Sequence, residues 1–229
     1  MKITIFNGSP RGKNGNTNIM AESLLAGAKE TGAKTENICL VYKKILQCAG
    51  CFGCWSKTPG KCVIRDDMED LMKIFLDSDI VGLATPLYTG TMTALMKNFL
   101  DRMIPIATPQ IVQRENGNFA HNGRVNNYPL IFIMSNAGFP GKNNFEILSK
   151  TFSRYRPIAE IYRNCGEVLR TGFPSVEQYK EALHTAGKEL AQFRVISPQT
   201  MDRLNADLMS DKDYMENTNA FWERELKKK

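Results

Sequence analysis

Five short apolar, β-prone runs alternate along this chain with segments whose apolar residues recur at helical spacing, and that alternation limits the fold most. The runs cover about 2–6, 35–40, 79–84 (Asp-Ile-Val-Gly-Leu-Ala), 130–135 (Leu-Ile-Phe-Ile-Met-Ser) and 158–162 (Ile-Ala-Glu-Ile-Tyr). Helical periods follow each one. They cover about 16–31, ending near Gly32; the stretch after Asp66-Asp67, with Met68, Leu71, Met72 and Phe75 in phase; about 91–103, with Leu95, Met96, Phe99 and Leu100; about 144–154; and about 175–193. Such a series predicts an α/β, doubly wound, five-stranded parallel sheet with helices on both faces. Ligands in these sheets bind beyond the carboxyl ends of the strands, where strand order reverses. The loops after strands one, three and four are therefore read together.

The first loop, Asn7-Gly-Ser-Pro-Arg-Gly-Lys-Asn-Gly-Asn-Thr-Asn18, joins a strand to a helix N-terminus. A helix start presents unbonded N–H groups and about half an elementary positive charge, which suits an anion. Ser9, Arg11, Asn16, Thr17 and Asn18 add hydroxyl, guanidinium and amide donors for phosphate oxygens. Neither G-x-G-x-x-G nor G-x-x-x-x-G-K-[ST] is present, which argues against a dinucleotide fingerprint and a nucleoside triphosphatase. A mononucleotide phosphate remains.

The loop after strand three reads Thr85-Pro-Leu-Tyr-Thr-Gly-Thr-Met-Thr93. Pro86 fixes φ, Gly90 permits a close backbone approach, and Leu87 and Tyr88 offer surface to a planar ring. The N–H groups of Thr89, Gly90, Thr91 and Met92 open the next helix and suit ring heteroatoms. The loop after strand four is Ser135-Asn-Ala-Gly-Phe-Pro140, small and glycine-bearing. Each alone reads as an ordinary turn. Together on one sheet edge they predict a site for a phosphate attached to a planar ring.

At 229 residues and 42% hydrophobic, the chain can bury one large core. Residues 1–197 are expected to form that domain, and residues 198–229 a helical extension packing on a neighbouring subunit. Residues 104–128 exceed a simple connection, and Asn116-Gly117 between β-tolerant arms signals a hairpin, read as a flap near the site or a subunit contact. No apolar run is long enough for a transmembrane helix, and the chain opens on a strand pattern rather than an export signal, so no membrane partner and a cytoplasmic location are expected. The net charge of +6 has no basic face with interleaved aromatics, which argues against nucleic acid and for anionic small substrates.

The motifs Asn-Gly-Ser-Pro-Arg…Asn-Thr and Thr-Pro-Leu-Tyr-Thr-Gly…Leu-Met-Lys-Asn-Phe-Leu-Asp-Arg102 resemble those of the NAD(P)H-dependent FMN reductases and multimeric flavodoxins of the flavodoxin-like superfamily, over about residues 1–195. The resemblance implies strand order 2-1-3-4-5. It implies an FMN phosphate on Ser9, Arg11, Asn16, Thr17 and Asn18, and an isoalloxazine against Pro86, Leu87, Tyr88, Thr89, Gly90, Thr91 and Met92. Asn136, Ala137 and Gly138 would flank the ring. NAD(P)H would then reduce FMN, which passes electrons to a small acceptor such as a quinone, free flavin or nitroaromatic. The flavin carries that chemistry, so no catalytic acid or base is expected. A homodimer or homotetramer is implied.

Four of the six cysteines crowd into Cys48-x-x-Cys51-x-x-Cys54-x(7)-Cys62. In a reducing compartment such a run points to metal or redox chemistry. The order is similar to that of the iron–sulfur flavoproteins, which implies a 4Fe–4S cluster on the four thiolates and an electron carrier served by a ferredoxin-like partner. A packed loop of free thiols, a Cys51/Cys54 dithiol and a tetrathiolate zinc stay open beside it. A non-catalytic flavin-binding regulator is a further alternative. Cys39 and Cys165 read as small core residues. Asp66 and Asp67 read as N-cap and first-turn acids, Asp101-Arg102 as an ion pair, His184 as a solvated helix residue, and His121 as part of the insert.

Overall fold

The computed structural model describes residues 1–228. In chain order its strands and helices are β1 (Lys2–Asn7), α1 (Asn16–Glu30), β2 (Lys34–Cys39), the single turn α2 (Gly53–Ser56), α3 (Met68–Leu76), β3 (Ile80–Pro86) and α4 (Ala94–Asp101). Then follow β4 (Ala107–Gln113), β5 (Phe119–Gly123), β6 (Leu130–Asn136), α5 (Glu146–Phe152), β7 (Ala159–Arg163), α6 (Pro174–Phe193), α7 (Pro198–Asn205) and α8 (Asp211–Leu226).

Five strands pair in parallel in the order β2-β1-β3-β6-β7, so the flavodoxin-like order holds once β4 and β5 are set aside as an inserted pair. Alternate side chains divide the core between the two faces, as the strand period of two requires. Ile3, Ile5, Ile80, Phe132, Met134 and Ile161 pack under α1 and α6. Phe6, Val81, Leu83, Ile131 and Ile133 pack under α3, α4 and α5. Helices α1 and α6 lie backbone to backbone: a Cβ on Gly187 would stand 1.9 Å from the Leu24 carbonyl oxygen, and one on Gly27 would stand 1.8 Å from that of His184. Register then sets the carboxyl rim, with Asn7 beside Ala84, Pro86 beside Asn136, and Asn136 beside Arg163.

The insert forms the antiparallel hairpin β4–β5, with Gly117 at φ +80° in its turn. It docks on the cysteine loop. Trp55 donates its indole N–H to the Ala107 carbonyl at 3.0 Å, stacks on Phe52 with centroids 5.0 Å apart, and meets His121 at a tilt with centroids 4.8 Å apart. The C-terminal segment packs partly on its own chain, and Phe221, Trp222 and Leu226 of α8 stay exposed. Leu204, Leu208 and Tyr214 are buried in the α1–α6 core because the segment's few apolar side chains meet that face directly. No helix among the described residues is long and apolar enough to cross a membrane.

The expected Asp101–Arg102 pair is replaced by two others. Asp101 takes Lys97 one helical turn back, at 2.6 Å, while Arg102 turns inward to Asp66. Asp67 holds the N-cap position of α3 without a side-chain capping bond, while Asp66 accepts the N–H of Met68, the helix's first residue, at 3.1 Å, and the first-turn acids are Glu69 and Asp70. His184 of α6 meets Glu30 at the end of α1 at 2.9 Å.

Candidate functional site

The first loop is tied down before it reaches α1. Buried Asn7 accepts the Ser9 N–H on its Oδ1 at 3.0 Å, and Thr93 donates its hydroxyl to the Gly8 carbonyl at 2.7 Å. Thr93 also caps α4 by accepting the Met96 N–H, so one side chain joins the first loop to the helix that follows the second. Helix α1 is left open. Its N-cap is Gly15, with no side-chain capping bond and no acidic residue in the first turn. A Cβ at Gly15 would stand 2.4 Å from Ser9 Oγ, so glycine is what lets the loop close over that serine. Ser9, Asn16 and Thr17 are all buried there, and Asn16 Oδ1 has no partner among the described residues.

In the second loop, Tyr88 and Thr91 exchange both backbone bonds, at 2.8 and 3.0 Å. The two residues between them, Thr89 and Gly90, have φ of +51° and +73°, the both-positive pattern of a type I′ turn. Glycine takes that conformation freely. A β-branched threonine does so at a cost, and such strain collects where a ligand is held. Tyr88 stays half exposed beside the turn.

Asn136, at the end of β6, joins the three loops. Its Nδ2 donates to Thr17 Oγ1 at 2.8 Å, and its carbonyl accepts the Leu87 N–H at 2.8 Å. The loops enclose a cavity of about 140 Å³. It takes Ser9, Arg11, Asn16 and Thr17 from the first loop, Pro86, Leu87 and Tyr88 from the second, and Asn136 and Gly138 from the third. The other expected residues do not line it. Asn18 turns toward β2, where its Oδ1 accepts Asn37 Nδ2 at 2.9 Å. Thr89, Gly90 and Thr91 build the adjoining turn, while Met92 and Ala137 are buried in the core.

Glu167 is the cavity residue that sequence reasoning missed. It lies beyond β7, pairs with Arg11 at 2.8 Å and with Arg170 at 3.4 Å, and has no motif around it. Thr93 was also missed, although a threonine just ahead of an apolar helical period is a legible N-cap.

The four clustered cysteines are all free. Cys48 and Cys51 face solvent and Cys54 is buried, where burial first and neighbouring Cys62 second push its thiol up. Cys62 Sγ lies 3.5 Å from Arg102 Nη2. Among the described residues no three His, Cys, Asp or Glu side chains stand close enough together to hold a metal ion. As folded here, the ligand set expected from Cys48, Cys51, Cys54 and Cys62 is not an assembled cage. The α2 turn takes Cys54 inward while Cys48 and Cys51 stay at the surface.

Residues 1–139 match the family described as NADPH-dependent FMN reductase. The chain belongs to that family. Among curated proteins it is 43% identical over 105 residues to an iron–sulfur flavoprotein of Archaeoglobus fulgidus, spanning 46% of each chain. It is 37% identical over 106 residues to iron–sulfur flavoprotein MJ1083 of Methanocaldococcus jannaschii, spanning 46% of this chain and 53% of that one. The chain thus spans about half the length of the curated relatives it matches. Among solved structures, the fold is shared with an FMN-dependent NADH-azoreductase of Bacillus anthracis in complex with FMN, at TM-score 0.61 and 15% identity, covering 83% of this chain and 99% of that one. It is also shared with an NAD(P)H:quinone oxidoreductase of Methanothermobacter marburgensis, at TM-score 0.61 and 13% identity, covering 83% and 96%.

For a member of the FMN reductase family, the donor set suits the cofactor. An uncapped helix start with buried Ser9 and Thr17 hydroxyls fits a phosphate, and the unpartnered Asn16 carbonyl oxygen fits a hydroxyl of the attached sugar chain. The Cys48-to-Cys62 run keeps the order of an iron–sulfur ligand set, but its thiols are not gathered into a cage in this arrangement.

Proposed function

We propose that this chain binds FMN in the three-loop cavity and uses NAD(P)H to reduce a small acceptor such as a quinone, a flavin or a nitroaromatic. The observation that carries this reading is the convergence of an uncapped α1, buried Ser9 and Thr17, and Asn136 on one cavity at the carboxyl rim of the sheet. Bound FMN would supply the redox chemistry. The protein's part is to orient and to exclude water. Arg11 and the N–H groups of α1 hold the phosphate, Asn136 fixes Thr17 against it, and Pro86, Leu87 and Tyr88 offer apolar surface to the ring. No side chain in the cavity is asked to carry a proton. A cytoplasmic homo-oligomer goes with this reading, and exposed free thiols suit a reducing compartment.

Titrating FMN into the protein and following quenching of its fluorescence tests the proposal. Saturable binding, followed by bleaching of the bound flavin when NADPH is added without oxygen, is the expected result. Protein that leaves FMN fluorescence unchanged overturns it.

A second reading, an iron–sulfur electron carrier with a ferredoxin-like partner, is supported by the names of the curated relatives and by the Cys48-to-Cys62 run. It requires the loop to rearrange from the form described here. Iron and sulfide analysis after anaerobic purification separates the two: about four of each per chain with no bleaching by NADPH favours the carrier.

A further inference from the structure

Helix α8 reaches back to the loop that follows β6. Tyr214, buried to 5% exposure, donates its phenolic hydroxyl to the Gly138 carbonyl at 2.7 Å. One turn earlier, Asp211 Oδ1 accepts the Gly141 N–H at 3.3 Å. The neighbouring carbonyls are held from other sides. The Ala137 carbonyl accepts the Gly166 N–H at 2.8 Å, and the Phe139 carbonyl accepts the Cys165 N–H at 3.2 Å. Asn144 Nδ2 donates to the Pro140 carbonyl at 3.0 Å and to that of Gly141 at 2.9 Å.

These bonds decide where the opposite ends of the peptide planes point. In a trans peptide the C=O and the following N–H point in opposite directions. The grip on the Ala137 carbonyl therefore aims the Gly138 N–H, and the grip of Tyr214 on the Gly138 carbonyl aims the Phe139 N–H. Neither N–H finds an acceptor among the described residues. Gly138 itself lines the cavity.

We propose that Tyr214 is a positioning residue for the flavin site: by holding the Gly138 carbonyl it presents the Phe139 N–H as a fixed donor to an acceptor atom of the bound ring. The C-terminal segment is then part of the cofactor site, although among the described residues none of its side chains lines the cavity. The inference rests on the FMN reading above. It assigns a function to a helix that lies outside the family match, which ends at residue 139.

The test compares the wild-type chain with Tyr214→Phe, which keeps the buried ring and removes only the hydroxyl, and with Trp222→Ala, an exposed change on the same helix. One neutral hydrogen bond corresponds to about a threefold to tenfold change in an equilibrium. Tyr214→Phe is expected to raise the FMN dissociation constant by about that factor and to move the absorption bands of bound FMN. Without FMN, it is expected to speed amide exchange at Phe139, while Trp222→Ala changes none of these. Wild type and Tyr214→Phe that bind FMN equally and exchange Phe139 equally would overturn the inference and leave the flavin reading standing. A wild-type chain that takes up no FMN would remove both.

Discussion

Arg102 grips Asp66 through both guanidinium ends, with Nη1 to Oδ2 at 2.6 Å and Nη2 to Oδ1 at 3.0 Å, and the two side chains are 1% and 0% exposed. The pair also fixes backbone. Arg102 donates to the Leu46 carbonyl at 2.6 Å, and Asp66 accepts the Leu46 N–H at 2.8 Å and the Met68 N–H at 3.1 Å. It thereby clamps both ends of the cysteine loop to the end of α4. Removing one member leaves the other as a buried charge, which costs about 3–5 kcal/mol. Asp66→Asn is expected to lower the melting temperature by about 10 °C, on a scale of about 2–4 °C per kcal/mol for chains of this size. Calorimetry of both proteins at neutral pH checks it.

The same pair sets an acid dependence. Burial works to raise the Asp66 carboxyl, but the Arg102 bonds and the Leu46 and Met68 N–H donors outweigh it and hold Asp66 below the ordinary carboxylate value. A carboxylate lowered on folding contributes stability that is present above its unfolded value and is lost as pH falls through its folded value. The wild-type advantage over Asp66→Asn should therefore be full at neutral pH and shrink as pH drops below the ordinary aspartate range. Denaturant midpoints across that range measure it. A gap that stays constant down to the acid limit would contradict the assignment.

Much of this was legible in the residues. Periodicity placed the five sheet strands, most plainly the inner three, β1, β3 and β6, which are buried on both faces. It placed the edge strand β2 less plainly, since its Lys-Thr-Glu-Asn half is partly exposed. The order of the strands came from the family resemblance. The three loops were legible only together, since each alone reads as an ordinary turn and it is their shared place at the carboxyl rim of one sheet that marks them. What stayed hidden depends on tertiary direction. Asn18 carries the same donors as Asn16, yet the helix turns it toward Asn37. Met92 sits in the ring loop by sequence and in the core by packing. Glu167 reaches the cavity, and Tyr214 the Gly138 carbonyl beside it, from far along the chain, and no local pattern marks either one.

Thr89 gives a test of strain in the ring loop. Its φ of +51° costs an L-residue about 1–2 kcal/mol, against about 0.5–1 kcal/mol for the added freedom of glycine in the unfolded chain. Thr89→Gly is thus expected to stabilise the protein by up to about 1 kcal/mol, or a few degrees in melting temperature. FMN affinity should stay within about twofold, because the threonine side chain does not line the cavity. Thermal melts with and without FMN check both halves.

Gly15 closes the first loop, and its substitution separates cofactor binding from folding. A methyl group there would meet Ser9 Oγ at 2.4 Å, pushing the serine out of its place at the start of α1. The sheet and helix packing beneath are not touched by that shift. Gly15→Ala should therefore lose about tenfold or more in FMN affinity, the effect of one or two displaced phosphate contacts. The melting temperature without FMN should fall by only a few degrees.

Glu167 places a carboxylate at the phosphate end of the cavity, where it holds Arg11 at 2.8 Å. Both partners are about half exposed, at 49% and 52%, so the pair itself adds little to stability. Its effect falls on the ligand. A bound phosphate must share Arg11 with Glu167 and meets a like charge beside it. Glu167→Gln removes that charge and frees the guanidinium, and is expected to tighten FMN binding by about twofold to fivefold. Because the competing groups are solvated, the gain should be largest at low ionic strength and fade as salt screens them. Fluorescence titrations at low and high salt measure it. Tighter binding of equal size at both would mean that Glu167 acts through the shape of the loop and not through its charge.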